Sequence, residues 1–166
     1  KLCGNQLFLK SEHLQKTGSF KIRGASNKVI NAIESGAKHV TTASSGNHGQ
    51  AVAYIANQYH VPATIVVPEN VSQCKVNAIE TYNGTVEMCG TTSSERLPRA
   101  QAIAVEQNGI YIPPYDDPFI MAGQGTIGLE ILEQLEQIEA IIVPIGGGGL
   151  ISGILTAIKE TNPKKK

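Results

Sequence analysis

Short apolar stretches alternate with amphipathic stretches along the 166 residues of the chain. The apolar stretches are rich in β-branched residues, which is typical of buried strands. Between the first two of them, Ile22, Ala25, Val29 and Ile33 recur at helical spacing, and Gly36 stands where a helix would end. The pattern predicts strands at 7–10, 39–43, 63–68, 85–88, 109–112 and 140–145.

The amphipathic stretches predict a helix between each strand and the next. Lys21 lies at the start of the first helix, and the others are predicted at 47–57, 72–82, 93–107, 118–135 and 150–161. Pro98 falls inside the fourth predicted helix and indicates a later start or a kink. Six strands alternating with six helices indicate an α/β fold with a mostly parallel sheet and flanking helices. In such folds ligands bind where strands end and helices begin.

Composition and charge limit which partners and which cellular location are expected for the protein. The chain is 41% apolar, enough for one globular core, and its 14 basic residues balance 14 acidic ones. No net field attracts nucleic acid or an acidic membrane, so small molecules or other protein chains are the expected partners. Cys3, Cys74 and Cys89 are odd in number and widely spaced, which indicates neither a disulfide framework nor a zinc site. We expect a reducing, cytoplasmic location.

The ends of the chain give two further expectations. No apolar run is long enough to span a bilayer, and the first residues lack the core of a signal peptide. A predicted strand begins almost at once, and the chain stops just after a predicted helix. We therefore expect the chain to be a fragment of a longer protein.

Four consecutive glycines follow the apolar run 140–145. Gly146, Gly147, Gly148 and Gly149 precede a predicted helix, and their backbone N–H groups are free to converge on phosphate oxygens. A tight strand-to-helix turn is the alternative interpretation. The dinucleotide fingerprint fails in every register, and the P-loop ending in Gly-Lys-Ser/Thr is absent. The loop therefore predicts a monophosphate ligand.

A second strand-to-helix turn reads Ser-Ser-Gly-Asn-His-Gly at 44–49. Its hydroxyl, amide and backbone donors are suited to a carboxylate or a phenolate oxygen, although Ser and Asn also cap helices for local reasons. His48 is a candidate base or ligand, or else a residue that only forms a hydrogen bond. His13, His39 and His60 have no partner at metal-ligand spacing, so no metal is predicted.

Lys21 ends the segment Lys-Thr-Gly-Ser-Phe-Lys at 16–21. Most lysines are solvated surface charges, but a desolvated lysine amine is a nucleophile that forms a Schiff base with an aldehyde. A lysine at a helix start, a monophosphate loop and an asparagine-bearing loop together suggest pyridoxal 5′-phosphate, which accepts electrons from a carbanion at Cα.

Five ordered segments carry a family resemblance. They are 15–25, 44–50, 114–118, 122–126 and 146–149, and together they extend over nearly the whole chain. In these segments the sequence resembles the fold-type II pyridoxal-phosphate enzymes, and within them the threonine/serine dehydratase and serine racemase group.

The resemblance implies cofactor-binding residues. Lys21 would form the Schiff base with the cofactor and would also remove the Cα proton of the substrate. Phe20 would pack beside the cofactor, Asn47 would form a hydrogen bond with its 3′-oxygen, and Gly146 to Gly149 would bind its phosphate.

The resemblance also implies substrate-binding residues. Ser45 matches the hydroxyl residue on the opposite face of the cofactor, the second acid/base of racemases. Ser44, Ser45, Gly46, Asn47 and His48 match the loop that grips the substrate carboxylate. The substrate would be a small amino acid.

The resemblance implies a two-lobed architecture with the cofactor between the lobes. Residues 1–42 and 119–166 would be parts of the larger, cofactor-binding lobe, and 43–118 would form the smaller inserted lobe. Members of the family are longer than this chain, which would make it truncated at the C-terminus, and the full-length form would be a homo-oligomer, a dimer or a tetramer.

The implied reaction is α,β-elimination, in which an ammonia-lyase converts L-threonine or L-serine into a 2-oxo acid and ammonia. Return of the proton to the other face would instead make the enzyme a serine racemase. The sequence of 112–118 looks more like the dehydratase form. A truncated, non-catalytic relative is the third hypothesis, and a dinucleotide-binding domain is weakened by the failed fingerprint.

Overall fold

Four parallel strands form the sheet of the computed structural model, which describes residues 4–135 and 137–163. Cys3 and the last three lysines lie outside these residues. The strands are β1 Val40–Ala43, β2 Ala63–Val67, β3 Thr85–Met88 and β4 Ile110–Tyr111, in the order β3-β2-β1-β4. Parallel pairing with helical connections confirms the α/β prediction.

Six α-helices in the described residues accompany the sheet. They are α1 Lys21–Glu34, α2 Asn47–Gln58, α3 Gln73–Glu80, α4 Ser93–Glu106, α5 Pro118–Gln134 and α6 Gly149–Thr161, and a short 3₁₀ helix, Glu12–Leu14, precedes them. The helices agree with the predicted ones to within two residues at either end. Helix α4 begins at Ser93, after a capping box between Thr92 and Glu95, so a late start caused by Pro98 is wrong.

Two predicted strands are absent. Within the described part of the chain, residues 7–10 and 140–145 belong to no strand. A strand needs a neighbouring strand to which its backbone is hydrogen-bonded. An apolar run supplies only apolar side chains and no such neighbour. Both segments expose large apolar side chains, with Leu9 81% exposed and Ile142 91% exposed. The prediction was wrong because apolarity alone does not provide a partner.

The main core lies between the sheet and helices α1 and α2. All five residues of β2 are buried, and Val40 of β1 is fully enclosed. A smaller core joins α5 to α6 around Ile127, Ile131, Ile154 and Ile158. None of the described helices is both long and apolar enough to cross a membrane.

Helix α1 is fixed against α5 by close contact and by charge. The amide oxygen of Gln124, which is 1% exposed, accepts from Gly24 N at 3.1 Å. A Cβ on Gly24 would lie 2.7 Å from the carbonyl oxygen of Ile120, so the two helices approach too closely for any side chain there. The guanidinium of Arg23 bonds both Glu12 and Glu130. These contacts set the position of Lys21 at the start of α1.

Candidate active site

A cavity of about 320 Å³ opens where α1 and α6 begin. Phe20, Lys21 and Tyr115 line it together with residues 144–151. Its walls contain no acidic side chain, and Lys21 lines it together with the glycine loop. A cavity with this lining is suited to an anion that also carries an electrophilic carbon.

Lys21 is the first residue of α1 and is partly buried. Its Nζ donates to the carbonyl oxygen of Pro114 at 2.5 Å and lies 5.5 Å from the ring centroid of Phe20. Burial lowers the pKa of Lys21 below its ordinary value of 10.5, because desolvation disfavours the ammonium form. The residue therefore supplies more free amine at neutral pH than a surface lysine does.

The glycine loop leads directly into helix α6. Gly148, the residue before the helix, has φ 88°, a left-handed conformation that favours glycine. The first intrahelical bond runs from Ser152 N to Gly148 O at 3.0 Å. The N–H groups of residues 149–151 therefore have no acceptor within the helix, and these residues line the cavity. Free N–H groups at a helix start are suited to phosphate oxygens.

Tyr115 packs against the glycine loop. A Cβ on Gly147 would lie 2.5 Å from the Tyr115 ring, and one on Gly149 would lie 2.7 Å from the Tyr115 carbonyl oxygen. These two positions need glycine because the neighbouring segment occupies the space of a side chain. Loop and tyrosine thus form one wall of the cavity.

The Ser-Ser-Gly-Asn-His turn joins β1 to α2 but is not among the cavity's lining residues. Ser44, Ser45 and Gly46 are half-buried, and Asn47 is exposed. The predicted roles of these four residues stay predictions. The structure does bring Lys21, Phe20 and Gly146 to Gly149 into one cavity.

His48 differs from the rest of that turn because it is 3% exposed. Its Nε2 donates to the carbonyl oxygen of Ile112 at 3.2 Å, and its buried Nδ1 has no hydrogen-bond partner. Burial is the main cause that lowers the pKa of His48 to about 4, and the positive charge of Lys21 acts in the same direction. The imidazole is neutral at pH 7, with its proton on Nε2.

Residue-based reasoning did not single out Tyr115 or Pro114 as parts of the site. Both stand in a segment that the family resemblance already included, and an aromatic residue after two prolines was the available signal. Among the described residues no group of three His, Cys, Asp or Glu side chains could hold a metal ion.

A parallel α/β fold with a lysine and a glycine-rich anion loop in one cavity is typical of proteins that hold a phosphorylated cofactor through a lysine. Comparison with known proteins gives the family. The family model described as "Pyridoxal-phosphate dependent enzyme" matches residues 1–166, and the chain belongs to this family.

Individual relatives agree with this assignment. An L-threonine ammonia-lyase of Thermotoga maritima is 45% identical over 99% of this chain, and human serine racemase is 44% identical over 99%. A solved threonine deaminase of Solanum lycopersicum superposes with a TM-score of 0.89 at 42% identity over 95% of the chain. The predicted fold-type II architecture is confirmed.

The chain spans only part of the length of these relatives. It covers 41% of the bacterial lyase, 50% of the human racemase and 44% of the tomato enzyme.

Pyridoxal 5′-phosphate is the family's cofactor, and the cavity has the chemistry that it requires. The lysine amine is partly desolvated, the start of α6 offers free backbone N–H groups in the same cavity, and a Cβ at Gly146 or Gly148 would project into open space. The described residues therefore fit the cofactor.

Proposed function

We propose that this chain is part of an ammonia-lyase that converts L-threonine or L-serine into a 2-oxo acid and ammonia. One observation carries the proposal: the partly desolvated amine of Lys21 and the glycine loop line the same cavity. The names of the relatives support the choice of reaction and substrate class.

Lys21 and the glycine loop would hold the cofactor at its two ends. Lys21 Nζ would bond the aldehyde carbon, and the N–H groups of Gly146 to Gly149 would bind the phosphate. Phe20 would pack beside the ring, and Asn47 would donate to its 3′-oxygen. When bound, the cofactor supplies an electron sink that stabilises negative charge at the substrate Cα.

The remaining residues would act on the substrate. Ser44, Ser45, Gly46, Asn47 and His48 would bind its carboxylate, His48 through its backbone N–H and the others through backbone or side chain. Lys21 Nζ would accept the Cα proton, for which its lowered pKa is suited, since a base works best when its pKa lies near the working pH.

Serine racemisation is the second candidate function. Human serine racemase is as similar to this chain as the bacterial lyases are, which supports it. Ser45 would then return a proton to the face of Cα opposite Lys21. The lyase proposal predicts 2-oxo acid as the main product, whereas the racemase proposal predicts D-serine.

A product measurement separates these functions. The full-length protein is incubated with L-threonine or L-serine, and 2-oxo acid and D-serine are quantified over time. We expect 2-oxo acid in excess, and a large excess of D-serine over pyruvate from L-serine would overturn the lyase proposal. Lys21→Ala should abolish both products.

Cofactor attachment is tested separately from turnover. Borohydride reduction followed by mass spectrometry should place a pyridoxyl adduct on Lys21. Lys28→Ala is the control, because Lys28 lies on the same helix and pairs with Asp117 at 2.7 Å. An adduct without turnover would favour the non-catalytic relative.

We also propose three features from the family resemblance. Residues 1–42 and 119–166 belong to a larger lobe and 43–118 to a smaller one, the full-length protein is a homo-oligomer, and it is cytoplasmic. The sheet supports the extent of the smaller lobe in part: strands β2 to β4 fall within 43–118, whereas β1, which lies between β2 and β4, begins at Val40. Limited proteolysis and light scattering on the full-length protein test the first two.

A further inference from the structure

The segment 112–115 connects the two walls of the cavity. Its Pro114 carbonyl accepts from Lys21 Nζ, and its Tyr115 packs on Gly147 and Gly149. A displacement of this segment would therefore change the surroundings of the lysine and of the glycine loop together.

This segment has few hydrogen bonds of its own. Pro113 and Pro114 have no N–H to donate. Ile112 N donates to Thr41 O at 2.7 Å, which fixes the segment where it leaves the sheet. The other described hydrogen bonds of the segment are accepted by its carbonyl oxygens. The first of these oxygens belongs to Ile112, and His48 Nε2 donates to it.

His48 is well placed to hold that carbonyl. It lies in the first turn of α2 and is 3% exposed, and Ile112 is fully buried. In such surroundings water cannot replace a lost donor, so the carbonyl oxygen would be left without a partner.

We propose that His48 is a positioning residue that acts through the Ile112 carbonyl and holds Pro114 and Tyr115 against Lys21 and the glycine loop. The proposal rests on the function proposed above for Lys21. It assigns the imidazole a purpose distinct from binding substrate.

The test measures the reactivity of Lys21 and does not depend on turnover. The full chain is treated with hydroxylamine to remove any cofactor and then trace-labelled at pH 7 with acetic anhydride. Mass spectrometry gives the labelling rate of Lys21 relative to exposed Lys75, which lies on α3. Because the Pro114 carbonyl accepts from the ammonium form, its loss should favour the free amine and speed the labelling.

Three variants are compared with the unmodified chain. His48→Leu removes the donor and should speed Lys21 labelling about tenfold, the effect of losing one hydrogen bond to a charged group. His48→Gln retains an N–H donor and should stay within about twofold of the unmodified chain. His39→Leu is the matched control, since His39 Nε2 lies 2.9 Å from Thr64 Oγ1 at the opposite end of β1, and it should have no effect.

Unchanged or slower Lys21 labelling in a folded His48→Leu protein would overturn the proposal, as would a glutamine variant that behaves like the leucine variant. If the leucine variant does not fold, His48→Asn takes its place, because its side chain is too short to reach Ile112. Failure of both to fold would also overturn the proposal, because His48 would then be a residue of the core. The labelling rate of Lys21 can be measured even if the chain has no turnover. Failure of the proposed function can therefore be distinguished from failure of the proposal for His48.

Discussion

Lys21 and Pro114 are 93 residues apart in the chain, yet the lysine Nζ lies 2.5 Å from the proline carbonyl oxygen. This contact joins the start of α1 to the segment that follows β4. The oxygen favours the ammonium form, whereas the partly buried position favours the free amine. Burial lowers the pKa of Lys21 below its ordinary value, because desolvation disfavours the ammonium form.

Lys21 should therefore titrate below 10.5 in the folded protein. Acetylation rates measured between pH 6 and pH 11 give the midpoint, with exposed Lys75 as the reference for reagent reactivity. The unfolded chain binds this proton more tightly than the folded one, so stability should rise with pH between the two pKa values. Lys21→Met should remove that rise. A midpoint at or above 10.5 would contradict the desolvated environment.

Gly147→Ala should destabilise the protein by about 1 to 3 kcal/mol, because the new methyl group collides with the Tyr115 ring. Urea unfolding measures the loss. Gly146→Ala is the matched control, since a Cβ there meets no atom within 4 Å, and its effect on stability should stay within about 0.5 kcal/mol.

Removal of the ring should relieve the collision. Tyr115→Ala combined with Gly147→Ala should therefore lose less stability than the sum of the two single changes. Additive losses would show that Tyr115 and Gly147 do not press on each other.

Periodicity and breakers predicted the four strands of the sheet and the six helices of the described residues, most directly β1 and β2, whose residues are mostly buried. The same signals failed at 7–10 and 140–145, where Leu9 and Ile142 are apolar but exposed. Pairing depends on a second segment, and a pattern within one segment contains no information about that partner.

The site was predictable to the extent that its chemistry is local. Lys21 and the four glycines are recognisable by residue type and by their places at helix starts. The contact of Tyr115 with Gly147 and the bond between His48 and Ile112 join segments distant in the chain. They arise from how the helices and the sheet pack, which no spacing in the sequence reveals.

Gln124→Leu should destabilise the protein by about 1 to 3 kcal/mol. The change removes the acceptor of Gly24 N at a position that is 1% exposed, and the buried N–H would be left without a partner. Gln73→Leu serves as the control, because that exposed side chain bonds only Asn77 and should change the free energy of unfolding by less than about 0.5 kcal/mol. Equal losses in the two variants would contradict a special role for the contact between α1 and α5.

Glu130 should make stability depend on acidity. Its hydrogen bond with Arg23 is the main cause that lowers the pKa of this carboxyl to about 2, against an ordinary value of 4.5. A depressed carboxyl pKa stabilises the folded state above the unfolded pKa, and that contribution is lost as pH falls toward the folded value. Because the side chain is 36% exposed, solvent screening reduces the contribution at pH 7 to about 1 kcal/mol.

Glu130→Gln should therefore be less stable than the unmodified chain by about 1 kcal/mol at pH 7, and the difference should shrink as the pH falls from about 4.5 toward 2. Urea unfolding at pH 7, 5, 4 and 3 measures it. Glu106→Gln controls for the loss of one negative charge, because Glu106 also pairs with an arginine, Arg99, but at a site where its side chain is 53% exposed. A Glu130→Gln deficit that stays constant down to pH 3 would place the effect in packing, since packing does not titrate with the carboxyl.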